Sequence, residues 1–226
     1  MGDVSVQKKE CEMKMMKYIL LAYLLVIPEL AMSAVVTWKA SGTITSSLSG
    51  AISVGDSFNL YYTFDSLVSD SNSSETRGMY QIQTVTIDMP RYSATTSKSS
   101  TITIDNSSFG NFDRYTLNTS TPNGFYAHNA QTIGGRELIS IVTEYTDNQA
   151  VLFSNDSLPI TPFNLSLVES ARLEMLFSND WQSEVAFDAQ WVNGEITSLT
   201  AVPLPPAIYL FISSLLVMTM KFRKKR

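Results

Sequence analysis

The chain has 226 residues, enough for one domain of ordinary size, and its formal charge of −5 is unevenly spread. Between Ala34 and Val202 stand 17 acidic and 7 basic side chains. A body this acidic lacks the clustered Lys and Arg needed to track a phosphate backbone, so no nucleic-acid partner is expected. The only cysteine, Cys11, precedes this body, which excludes disulfides, thiolate nucleophiles and cysteine metal sites within it.

In chain order, the first element is an export signal. Lys14 and Lys17 lead into the apolar run from Tyr18 to Ile27, followed by Pro28 and the small residues Ala31, Ser33 and Ala34. That order is the pattern of a secretory signal peptide, assigned to residues 1–33, which implies the secretion translocon and a signal peptidase as partners. Glu10 and Glu12 fit poorly in a basic leader, so Met13 and Met15 are alternative starts. The ten apolar residues before Pro28 are too few to span a bilayer.

Residues 34–200 are read as a single all-β domain, a two-sheet β-sandwich with a jelly-roll-like arrangement. Ser, Thr and Asn abound, and no sustained 3.6-residue apolar stripe interrupts the β-branched and aromatic residues. Phe58, Leu60, Tyr62 and Phe64 alternate with polar or aromatic neighbours, as do Val185, Phe187, Ala189 and Trp191. Each series predicts a strand with one face in a core, which would bury Trp191 as well as Trp38.

Further strands are predicted at Val35–Thr45, Tyr80–Ile87, Ser100–Ile104, Arg114–Leu117, Leu138–Glu144 and Ala150–Phe153, with one or two more in Phe163–Phe177, where Ala171, Leu173, Met175 and Phe177 alternate and a helical turn around Val168–Leu173 is the alternative. Turns are marked by Gly55-Asp56, Met89-Pro90, Gly134-Gly135 and Asn193-Gly194. Two similar fragments, Gly42-Thr-Ile-Thr-Ser46 and Gly194-Glu-Ile-Thr-Ser198, bracket the body and suggest neighbouring first and last strands. Both chain ends would then leave from the same end of the domain.

Residues 201–226 form a second signal. Ala201 to Met220 carry no charge and are followed by the basic stop Lys221, Arg223, Lys224, Lys225 and Arg226. Twenty helical residues cover about 30 Å, the thickness of the hydrocarbon layer. The basic end belongs on the cytoplasmic side. Pro203, Pro205 and Pro206 set the start of the regular helix near Pro206.

The motif Val202, Pro203, Leu204, Pro205, Pro206, Ala207, the apolar run and the basic terminus together resemble the PEP-CTERM sorting signal. The variant is the one in which Leu204 replaces the acidic residue of the commonest form. That resemblance implies processing near Val202–Pro205 by an exosortase, a membrane cysteine transpeptidase. It also implies an inner-membrane precursor with its body in the periplasm, a mature form on the outer surface or in the extracellular matrix of a Gram-negative bacterium, and an exopolysaccharide as associate. Short pieces of the body, among them Tyr62-Thr-Phe-Asp-Ser66, Asp113-Arg-Tyr115 and Gly194–Leu204, are similar to other proteins bearing this signal. No activity comes with that similarity.

The body carries no assembled catalytic motif. His128 is the sole histidine and cannot build a three-histidine metal site. Glu144, Glu174, Glu184, Asp188 and Glu195 lie on or beside predicted strands, where a glycosidase-like pair would need two of them close together. Asp65, Asp70, Asn72 and Glu75 fall in one polar loop and are candidate Ca²⁺ ligands, although they lack the position rule of an EF-hand; no other cofactor is expected. Tyr61, Tyr80, Tyr92, Tyr115, Tyr126 and Tyr145 are candidate binding platforms, and Trp181, in the polar turn Ser178–Ser183, is the foremost candidate for a glycan contact. The composite expectation is a non-enzymatic surface or matrix protein. A carbohydrate-binding adhesin and an extracellular glycan hydrolase are the alternatives.

Overall fold

The computed structural model describes residues 35–47, 50–96, 100–107, 112–119, 132–178 and 189–203. The expected export signal, and the expected sorting signal from Leu204 onward, lie outside the described residues.

Among the described residues ten strands follow one another: β1 (Val35–Ser46), β2 (Ser57–Asp65), β3 (Arg77–Ile82), β4 (Thr84–Met89), β5 (Tyr92–Thr96), β6 (Ser100–Asn106), β7 (Asp113–Asn118), β8 (Glu137–Asp147), β9 (Ser170–Ser178) and β10 (Gln190–Ala201). They hydrogen-bond into a single sheet in the order β3-β6-β7-β8-β9-β10-β1-β2-β4-β5, and every pairing is antiparallel. The all-β domain expected from sequence is therefore present, but as one continuous sheet where two were expected. Among the described residues no helix is long and apolar enough to cross a membrane.

The sheet buries one face by folding over on itself. Trp38 of β1 stacks on Tyr115 of β7, with ring centroids 5.9 Å apart, although three strands lie between them in the sheet. Tyr92 of β5 meets Phe177 of β9 edge-to-face at 5.7 Å. Such contacts require the β1-β2-β4-β5 wing to lie opposite the β7-β8-β9 wing, in a half-barrel. The inward residues follow the period of two: Phe58, Leu60, Tyr62 and Phe64 on β2, and Leu173, Met175 and Phe177 on β9, are all buried.

The seam between the wings is the ladder of β1 with β10, in which Trp38 faces Ala201 and Thr43 faces Glu195. The two similar fragments are thus neighbours, and Val202 closes the ladder by donating its backbone N–H to the Thr37 carbonyl at 2.8 Å. Both fragments begin with a glycine that lies against the ring of Phe58, and at Gly42 the Glu195 backbone comes closer still. A Cβ on Gly42 would stand 1.9 Å from the Glu195 carbonyl oxygen and 2.8 Å from that ring, and a Cβ on Gly194 would stand 2.8 Å from it. Gly194 was expected to mark a turn, yet it lies inside β10, where it admits an aromatic ring against bare backbone.

Two other expected strands differ. Tyr80–Ile87 divides at Gln83, whose N–H donates to Thr63; β3 before it pairs with β6 and β4 after it pairs with β2, so one apolar run serves both wings. Ala150–Phe153 is not a strand but the start of a strap between β8 and β9. The buried carboxylate of Asp147 accepts the N–H groups of Gln149, Val151 and Leu152, and that of Asp113 accepts Phe153, which bends the chain away from the sheet. The strap lays Phe163 against Trp38, Tyr115 and Tyr145, with centroid separations of 5.9, 5.3 and 5.1 Å.

Gly42→Ala is expected to destabilise the domain by about 3 kcal/mol, because backbone and ring must both move; urea unfolding measures it. The Tyr92 hydroxyl, by contrast, is buried with no hydrogen-bond partner among the described residues. Burial raises its pKa far above the ordinary phenol range. Tyr92→Phe should raise stability by about 0.5–1 kcal/mol while leaving the Phe177 contact intact, and a lower melting temperature would contradict that.

Candidate functional site

The outward face of the sheet carries a row of alternating charges across five strands. Arg77 of β3 donates to Asp105 of β6, and Arg114 of β7 donates to the other oxygen of Asp105 at 2.7 Å. Arg114 lies 3.9 Å from Glu144 of β8, which accepts Arg172 of β9 at 2.8 Å, and Arg172 in turn lies 3.5 Å from Glu174. Facing strands place Arg77, Asp105, Arg114, Glu144 and Arg172 opposite or diagonal to one another, and Glu174 follows Arg172 two residues along β9.

Asp105 points outward but is wholly shielded by its two arginines, which are themselves one-third exposed. Burial by itself raises its pKa, and the hydrogen bonds and charges of Arg77 and Arg114 outweigh burial, holding it below the ordinary value of 3.8. A depressed folded-state pKa means that its stabilisation is complete above the unfolded value and is lost as pH falls through the folded one. Asp105→Asn should therefore cost about 2 kcal/mol at neutral pH. Its deficit relative to the parent chain should shrink below pH 3.8, as followed by acid titration of both proteins.

The row ends at an open groove of about 480 Å³ on the outward side of β9, β10 and the end of β1. Arg172, Glu174, Asn193, Glu195, Glu169 and Thr45 line it. Register places Glu195 opposite Arg172 and Asn193 opposite Glu174. Asn193 is held by Ser46, to whose hydroxyl its side-chain amide donates at 2.8 Å, and Glu169 accepts the side-chain amide of Asn148. One step further along β10 stands Trp191, opposite Leu176 and 49% exposed.

Trp191 was expected in the core, and the structure places it on the opposite face. The true inward series of β10 is Val192, Gly194 and Ile196. Parity could have revealed this. Gly42 and Gly194 begin matching fragments and both face inward; Trp38 stands four residues before the first and shares its face, while Trp191 stands three before the second and does not.

The other expected site residues fare unequally. Glu174 and Glu195 are brought to one groove, with Glu144 joined to it through Arg172; Glu184, Asp188, His128, Tyr126 and Trp181 lie outside the described residues. Tyr80, Tyr92, Tyr115 and Tyr145 are buried and are not platforms, whereas Tyr61 is half-buried beneath the Lys39 ammonium, 5.7 Å from its ring centroid. In the loop of Asp65, Asp70, Asn72 and Glu75, side-chain oxygens of the first three accept backbone N–H groups. Asp70 accepts the N–H groups of Asn72 and Met79, Asn72 accepts Ser74, and Asp65 accepts Leu67. Among the described residues no group of three or more His, Cys, Asp or Glu side chains could hold a metal ion. Of the sorting motif, only Val202 and Pro203 are described, directly after β10.

No family model, no curated protein and no solved structure matches this chain.

Proposed function

We propose that this chain is an exported, non-enzymatic surface or matrix protein, sorted by an exosortase and associated with exopolysaccharide. On this reading the signal peptide takes the body out of the cytoplasm and the terminal helix holds it at the inner membrane. Cleavage near Val202–Pro205 then releases it to the outer surface. The domain is its cargo, jelly-roll-like in the opposition of its two wings.

The observation that carries the reading is the β1–β10 seam. Val35 and Val202 lie at one end of the domain, so a leader and an anchor attached there would leave the rest of the sheet facing away from the membrane. The ladder runs up to Val202 itself, with Trp38 still paired to Ala201. Cleavage beyond it would therefore separate the anchor without removing a strand. The polar outward face, with its paired charges, suits a domain that works in water outside the cell.

The test is localisation of a chain carrying one tag within the body and another at its C-terminus, in strains with and without the exosortase. With the enzyme, the C-terminal tag should be lost and the internally tagged product should appear shorter, at the surface or in the matrix. Without it, the longer form should stay in the inner membrane. Equal size and inner-membrane residence in both strains would overturn the proposal.

A further inference from the structure

We infer that Trp191 and the groove beside it form a subsite for a neutral polysaccharide, an inference that rests on the exopolysaccharide association proposed above and gives it a place on the sheet.

The first argument is the position of the indole. Trp191 is 49% exposed on a central strand whose inward neighbour Val192 is fully buried. A Trp so exposed on a sheet face forgoes the burial that its large apolar area would otherwise gain. Its cross-strand partner Leu176 is apolar and only 8% exposed, so the indole stands beside an apolar neighbour. A sugar ring offers the matching shape, since the face that carries its axial C–H bonds is apolar and its rim carries hydroxyls. Stacking that face on the indole covers carbon with carbon and leaves the rim free for polar partners.

Those partners follow at the spacing of the strand. Trp191, Asn193 and Glu195 succeed one another at every second residue, about 7 Å per step, so polar partners continue the line of the indole along the strand. Beside them Leu176, Glu174 and Arg172 advance in register on β9. A chain laid along β10 from Trp191 would bring its next rings over Asn193, Glu174, Glu195 and Arg172, with Thr45 on the far wall. This set offers amide and guanidinium donors together with carboxylate and hydroxyl acceptors, the mixture that adjacent sugar hydroxyls require. The volume of about 480 Å³ lies in the range of small-molecule sites.

Charge selects among polysaccharides. Glu169, Glu174 and Glu195 line the groove against Arg172 alone among its residues, and Arg172 is already engaged by Glu144 at 2.8 Å. A polymer of uronic acids would bring further carboxylates into this field. A neutral hexose or N-acetylhexosamine polymer would not, and its hydroxyls can donate to the carboxylates.

The test is calorimetric titration of the full chain, purified in detergent, with cellohexaose, chitohexaose and a mannuronate hexamer. At least one neutral oligosaccharide should bind at least tenfold more tightly than the uronate. Trp191→Ala should weaken that binding at least tenfold, Trp191→Phe should retain most of it, and Glu174→Gln with Glu195→Gln should narrow the preference over uronate. A melting temperature equal to that of the parent chain certifies each variant. Binding unchanged by Trp191→Ala, or preference for the uronate, would overturn the subsite, as would absence of binding to both neutral oligomers. Matrix fractionation of the same variants separates the two proposals: a Trp191→Ala chain that remains with the polysaccharide fraction refutes the subsite alone, whereas a parent chain absent from that fraction refutes the association itself.

Discussion

The antiparallel ladder between β1 and β10 is the constraint on which both wings depend. It joins the first strand of the domain to the last, across about 150 residues of chain, in the interior of the strand order. Loop closure over such a separation costs conformational entropy before any contact returns it. The return comes from burial of Phe58 against bare backbone at Gly42 and Gly194, and from the register that follows. Pairs shift between Ser41 and Gly42 and again between Ile44 and Ser46. Bulges of this kind strengthen twist and let a sheet bend, and this sheet bends where its wings meet.

Bending creates the core. Trp38, Tyr62, Phe64, Tyr115, Tyr145 and Phe163 come from both wings and from the strap, and most of their contacts are edge-to-face or tilted. The cost lies in polar atoms carried inward, such as Trp38 Nε1, which has no hydrogen-bond partner among the described residues. Burial raises the phenols of Tyr62, Tyr115 and Tyr145 above their ordinary range, so these groups remain neutral throughout the physiological range. Their role is volume and shape.

How much of this was legible in the sequence depends on the period involved. The alternation of β2 and β9 announced both the strands and their inward faces, and the repeated Gly-x-Ile-Thr-Ser fragments announced the pairing of first and last strands. What failed was phase and partnership. Ala189 and Trp191 form a plausible apolar series that the true series, Val192–Gly194–Ile196, outranks only because Phe58 fills the space above a glycine, and Phe58 lies far away in the chain. The division at Gln83 was hidden for a similar reason, since both halves of Tyr80–Ile87 are good strands and only long-range pairing sends them to different wings. Arg172 gave no local sign of linking a charge row to a groove, because its partners are brought to it by register.

The two ends of β10 would also respond differently to tension. Force applied between Val35 and Val202 would act at one end of the antiparallel ladder and open its hydrogen bonds one after another, like a zip. Force applied between Val202 and a ligand held at Trp191 would run along the strand, and would load the pairings with β1 and β9 together in shear. The same strand is thus compliant to peeling at its root and stiff to traction along its length, a mechanical polarity suited to a tether.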